Sequence, residues 1–202
     1  MNARTETVDR VVASVGRSGI TRSDVIKEYQ MEQFLGSGRV PSQLPDAIAL
    51  DQSRTRLIDQ KLLAGEISSY LVNPALLREA ALKQVAELRA RFKTGAEFQS
   101  ALRLLGVTQT QLRKRLERDQ HILLMINTRM RPAAVVSQNE IQDYYERTFL
   151  PKASRLGRGA PLSLSAVQNQ IREILVQEKI NRLLDEWLKE LREEHQVRIL
   201  PQ

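Results

Sequence analysis

A mainly helical chain closed by a small antiparallel sheet is the fold class predicted by the sequence, on three observations. The run VVASV (11–15), followed by a turn with two glycines, GRSG (16–19), is the one clear hairpin signal. Between it and residue 194, apolar residues recur at helical spacing between recognisable caps. The closing run Val197-Arg198-Ile199-Leu200 is too short for a helix and reads as a strand. A lone hairpin is marginal in water, so the C-terminal strand is expected to join it as a third strand and bring the termini together.

The elements follow in order. After a short return strand at Ile20, Thr21 and Ser23 offer N-cap oxygens, with Asp24 near the positive end of the helix dipole, and a helix is expected to about Leu35. GSGRVPSQLPD (36–46) is a breaker-rich loop. Helical spacing resumes from about Asp46 to Leu71. Asn73-Pro74 pairs an N-cap with an N1 proline and opens a helix to about Phe92, ended by Gly95. A short helix over 96–105 closes at Gly106. Thr108 with Gln111 makes a capping box for a helix to Met130, stopped by Pro132. Ser137 with Glu140 makes a second box before EIQDYYERTF. LPKASRLGRGAPLS (150–163), with two Pro and two Gly, reads as an irregular connection. Ser165 with Gln168 is expected to cap a last helix to about Glu194. At 1.5 Å per residue that helix spans roughly 45 Å, long enough to serve as the backbone of the fold. No internal repeat is evident.

Composition narrows the function classes. The 202 residues hold 31 Lys+Arg, 24 Asp+Glu, two His and no Cys, which excludes a disulfide frame, a thiol nucleophile and cysteine-based metal centres. Apolar residues at 42% and charged residues at 27% describe an ordinary folded protein. Nine aromatic residues are few for a single-strand stacking platform. No stretch approaches the roughly 20 consecutive apolar residues that span a bilayer. MNARTETVDR lacks an apolar h-region, so the chain as written is not expected to be a secretory precursor, although Met1 is compatible with a mature chain whose signal was replaced. The excess charge is local: residues 78–131 hold 12 Lys+Arg and 5 Asp+Glu, and the remainder holds 19 of each. A basic middle suggests an acidic partner, and competes with a plain solvated helix face.

Catalysis finds little footing. His121 and His195 have no nearby nucleophile or ligand-spaced partner, and neither G-x-S-x-G nor H-E-x-x-H is present, so no catalytic residue, metal site or cofactor is assigned. Gly36-Ser37-Gly38 lacks the ending of a phosphate loop, and Gly157-Arg158-Gly159 is a single loop tripeptide. Residues 96–120, with Arg113, Lys114, Arg115 and Arg118, loosely imitate a helix-turn-helix, a geometry shared by any helical hairpin.

The order of elements carries a resemblance. VDRVVASVGRSGITRSDV (8–25), RTRLIDQKLLAGE (54–66), the run from Asn73 to Arg131 with its LGVTQTQLRKRL pivot, and VQNQIREILVQEKINRLLDEWLKELREEHQVRIL (167–200) together resemble the SurA-type periplasmic chaperones, relatives of the PpiC/parvulin prolyl isomerases. The first and last segments are the more specific, and the likeness covers nearly the whole chain. In that family a parvulin domain usually sits between a segment like SQNEIQDYYERTF and the closing helix, whereas here only residues 150–163 occupy the place.

The resemblance therefore implies one discontinuous chaperone core over 1–202: an N-terminal part (8–149), a linker (150–163) in place of the parvulin domain, and a closing helix and strand (164–200). It implies ATP-independent holding of unfolded outer-membrane or secreted polypeptides in the periplasm, the signal peptide taken as removed, without prolyl isomerase activity. No nucleic acid and no stable membrane insertion are expected, and a flexible 150–163 connection would permit a domain-exchanged homodimer. The runner-up is a basic helical nucleic-acid-binding protein using 96–131; a third option is a scaffold subunit that only dimerises.

Holding needs exposed apolar surface that grips extended chain weakly. The candidates are residues too apolar for the loops and short helices that carry them: Phe34, Leu35, Val40, Leu44, Met125, Met130, Tyr144, Tyr145 and Phe149. Met adapts to varied clients, and Tyr pairs an apolar face with a polar tip. Each has a competing role as an ordinary core residue.

Overall fold

The computed structural model describes residues 9–155 and 162–200. The fold is mainly helical with a three-stranded antiparallel sheet of order β2-β1-β3: β1 (Val11–Val15), β2 (Ser18–Thr21) and β3 (Arg198–Ile199). Gly16, at φ 55°, makes the left-handed turn that lets β2 return along β1. The expected closure by the C-terminal strand is present. Ala13 pairs with Ile199 and Ser14 with Arg198, and the Leu200 N–H donates to the Val12 carbonyl at 3.0 Å.

Among the described residues, eight α-helices follow the hairpin: α1 (Arg22–Ser37), α2 (Ala47–Glu66), α3 (Pro74–Ala90), α4 (Gly95–Leu104), α5 (Gln109–Met130), α6 (Gln138–Tyr144), α7 (Leu150–Arg155) and α8 (Leu164–Glu194). The start signals act as their chemistry requires. Thr21 and Asp24 form a reciprocal capping box on α1 (3.2 and 2.9 Å), as Thr108 and Gln111 do on α5 and Ser137 and Glu140 on α6. Asp46 and Asn73 accept from Ala49 N–H (2.8 Å) and Ala75 N–H (3.0 Å).

Three boundaries differ from the sequence expectation. Helix α2 ends at Glu66 in a 3-10 turn, Ile67–Ser69, and leaves Leu71 fully exposed, because Pro74 and its N-cap Asn73 demand extended chain ahead of them. Ser165 lies inside α8, which starts at Leu164. The largest difference is that the expected irregular connection begins as helix. A π-helical turn, Tyr145–Phe149, leads into α7, with Leu150 N–H donating to the Tyr145 carbonyl. The wider turn admits Pro151, which has no N–H to offer and whose ring would crowd the carbonyl of a regular turn. The Gly157-Arg158-Gly159 tripeptide lies outside the described residues.

By packing, the described residues gather into two compact units: residues up to Leu123 together with those from Leu188 onward, and Leu124–Trp187. Helices α5 and α8 each run from one unit into the other. The first unit is built on a cluster that includes Phe34, Val85, Leu88, Phe98, Leu102 and Leu112. It also contains a buried ionic joint. Glu28 of α1 accepts two bonds from the Arg115 guanidinium of α5 (2.7 and 2.8 Å) and one from Gln60 of α2 (2.7 Å). The second unit centres on Ile141, Val167 and Ile171.

Candidate functional site

The end of α1 builds an open apolar surface in the first unit. Gly38, at φ 75°, is the left-handed C-cap, and its N–H donates to the Phe34 carbonyl at 2.8 Å. Arg91, just past α3, donates one guanidinium nitrogen to the carbonyls of Leu35 (3.0 Å) and Gly36 (2.9 Å), satisfying acceptors that the helix end leaves orphaned. The chain thus reverses beside Phe92 and sets Val40 against the core, where Leu35 and Phe92 also pack.

Beneath lies an aromatic triad. Phe34, Phe92 and Phe98 meet with ring centroids 5.5–6.3 Å apart, Phe34 and Phe98 buried and Phe92 half-buried. An open trough of about 560 Å³ is lined by Val40 and Phe92 and, from α4, by Ala96, Ser100, Ala101 and Leu104. Leu104 is 74% exposed although it is a large apolar residue. Leu35 also lines a second cleft of about 280 Å³, with Leu88, Leu116 and Leu123.

The nine candidates divide accordingly. Leu35 and Val40 are half-buried and line clefts of the first unit, and Leu44 is 68% exposed on the loop after α1. Phe34, Met125 and Met130 are buried and offer no surface; Phe34 instead packs behind the trough against Phe92. Tyr144, Tyr145 and Phe149 are half-buried in the second unit against the Ile141 cluster. The Tyr145 and Phe149 rings stack at 5.5 Å, and the Tyr145 hydroxyl donates to the Leu162 carbonyl at 2.9 Å, so these apolar faces cover one another.

Sequence reasoning missed Phe92, Ala96 and Leu104. One signal was present: Leu104 lies two positions, some 200° of helical turn, from the buried Leu102, so it falls on the polar face of α4.

Part of the basic middle is committed internally, five of its twelve cations counting Arg91. Arg115 is shared between Glu28 and Asp119 (2.8 Å), Arg113 pairs with Glu117, and Arg131 pairs with Glu173 at 2.8 Å. Arg129 stands 4.5 Å over the Trp187 ring. Burial pushes the Glu28 carboxyl up, but hydrogen bonds and charge from Arg115, with Gln60, outweigh it and hold Glu28 below the usual range. Burial wins at Asp119 and Glu32, raising both despite Arg115 and Arg56.

His121 Nε2 donates to the Tyr70 carbonyl at 2.9 Å, a structural contact. Among the described residues no group of His, Asp and Glu could hold a metal ion, and no helix is long and apolar enough to cross a membrane. The chain matches no protein-family model and no curated protein.

Proposed function

We propose that this protein is an ATP-independent periplasmic holdase for unfolded outer-membrane or secreted polypeptides, without prolyl isomerase activity. The observation that carries the proposal is the open apolar trough between the loop after α1 and α4, where Val40, Phe92 and Leu104 stay accessible on a rigid helical frame. An accessible apolar surface on a fixed scaffold grips extended chain reversibly without chemistry. The element order resembling SurA-type chaperones supports the same assignment. Internal pairing of Arg113 and Arg115 weighs against a phosphate-binding role for α5.

The test is aggregation of a chemically unfolded outer-membrane β-barrel protein, followed by light scattering without ATP. Suppression at near-stoichiometric ratio is expected, together with no acceleration of proline isomerisation in a tetrapeptide. No effect on aggregation, alongside tight duplex-DNA binding that falls steeply with salt, would replace the holdase by the nucleic-acid binder.

A further inference from the structure

Of the arginines beside the trough, Arg91 is held by the fold as the cap of α1, whereas Arg39 and Arg103 are not so held. Arg39, which lines the trough, is exposed, and its guanidinium has no hydrogen-bond or ion-pair partner among the described residues. Arg103 is exposed on α4 and donates only to the hydroxyl of Ser100 (2.7 Å), itself a lining residue. The one acidic residue on the lining, Glu97, accepts from the Lys93 N–H (3.0 Å) and keeps its negative charge, which Arg39 and Arg103 together outnumber. The rim is therefore cationic over an apolar floor.

The shape of the floor follows from helix geometry. Ala96, Ser100 and Leu104 stand at i, i+4 and i+8 along one stripe of α4. That stripe is about 12 Å long, the reach of three to four residues of extended chain. An extended segment sends alternate side chains to opposite sides, so one set lies on the floor while its neighbours meet the rim.

We infer that the trough selects extended segments in which apolar residues alternate with, or sit beside, aspartate or glutamate; this specificity rests on the holding function proposed above. Apolar side chains cover Leu104, Val40 and Phe92, and the adjacent carboxylate supplies the missing partner of Arg39 and Arg103. A segment flanked by lysine meets like charge and is disfavoured.

The experiment uses three fluorescent nine-residue peptides with leucine and valine at alternate positions and aspartate, serine or lysine between them. Fluorescence anisotropy against the full chain should rank them aspartate, serine, lysine, about threefold apart per step, as exposed ion pairs allow. The spread should shrink in 0.5 M salt. Arg39→Glu should invert the order. Leu104→Ser should weaken all three by about tenfold, from the lost apolar burial, with helical circular dichroism unchanged because Leu104 is exposed.

Equal affinities, or a ranking that Arg39→Glu leaves intact, would overturn the inference, as would binding indifferent to Leu104→Ser. A dimer in sedimentation that Leu104→Ser dissolves would give the trough to a second copy of the chain and also overturn it. If aggregation is suppressed but no charge ranking appears, only this specificity fails. If neither suppression nor any peptide binding is seen, the holdase proposal falls with it.

Discussion

Two breaks in the helical frame carry surplus apolar side chains, and the chain treats them in opposite ways. At the loop after α1, Gly38 and Arg91 finish the helix, and among the described residues Val40 and Phe92 stay half-buried and Leu104 exposed along one trough. At the π-helical turn, Tyr145 and Phe149, also half-buried, stack on each other and the Tyr145 hydroxyl ties down the Leu162 carbonyl, so the surplus finds partners of its own. An apolar residue beside a breaker is therefore no measure of exposure. What decides is whether the chain comes back with a partner for it.

The two regions are also anchored differently. The first unit joins three helices through a buried charge pair, whereas the second packs on Ile141, Val167 and Ile171 and keeps its ion pairs nearer the surface. Substitutions in the first should therefore cost more. Phe34→Ala, which empties the centre of the aromatic triad, should lower stability by about 3–5 kcal/mol in urea unfolding. Leu44→Ser, on the same loop system but exposed, should stay within about 0.5 kcal/mol. A mild Phe34→Ala would mean that Phe92 does not need the triad to hold its place in the trough.

Next in size is the ionic joint. Glu28→Gln should cost about 3 kcal/mol, the lower end for breaking a buried pair, because Arg115 keeps Asp119. The pH dependence has two signs. Glu28 titrates below its unfolded value, so its contribution is fully present above the ordinary carboxylate range and is lost as pH falls through the depressed value. Glu32 and Asp119 titrate above theirs, so the folded state takes up protons first and gains stability as pH falls toward the ordinary range. Acid unfolding followed by denaturant melts should show a shallow rise and then a fall. In Glu28→Gln the component of the fall due to Glu28 should disappear. Monotonic loss from neutral pH downward would contradict this assignment.

This joint also shows where sequence reading stops. Capping boxes were legible because their partners sit three residues apart: Thr21 with Asp24, Thr108 with Gln111, Ser137 with Glu140. The closure of the sheet was legible because two short strands each lacked a partner. Glu28 and Arg115 are 87 residues apart, and nothing local marks either as buried. The trough was half-legible for the same reason. Val40 stands out in its loop, but Phe92 and Leu104 become its neighbours only through the reversal at Gly38. Pro151 misled because a proline usually ends a helix, and only the π-helical turn ahead of it lets α7 continue.

At the π-helical turn the effects shrink. Tyr145→Phe keeps the stack on Phe149 and removes only the bond to the Leu162 carbonyl, so it should cost about 1 kcal/mol. Hydrogen exchange at the start of α8 should quicken with it. If Tyr145→Phe instead creates a new binding site for a hydrophobic dye, the cover depends on that one bond, and the two regions differ by a single hydrogen bond.

The smallest effect concerns Glu140, whose carboxylate meets Lys179 Nζ at 2.7 Å while accepting from Ser137 N–H (2.8 Å) and hydroxyl (3.0 Å). The Lys179 bond leads and the Ser137 bonds follow in lowering its pKa to about 2. Because the folded value lies below the ordinary one, its contribution is present above the ordinary range and is lost only as pH falls through about 2. Carboxyl carbon shifts measured by NMR should place the midpoint near 2, far below the usual value of about 4.3. Lys179→Met removes the leading cause but leaves the capping box, so the midpoint should rise part of the way and not the whole. A midpoint that stays put would assign the depression to Ser137 alone. One that returns fully to the ordinary value would mean that the box does not hold α6 without its lysine, and that this unit depends on its own charge pair much as the other depends on Glu28 and Arg115.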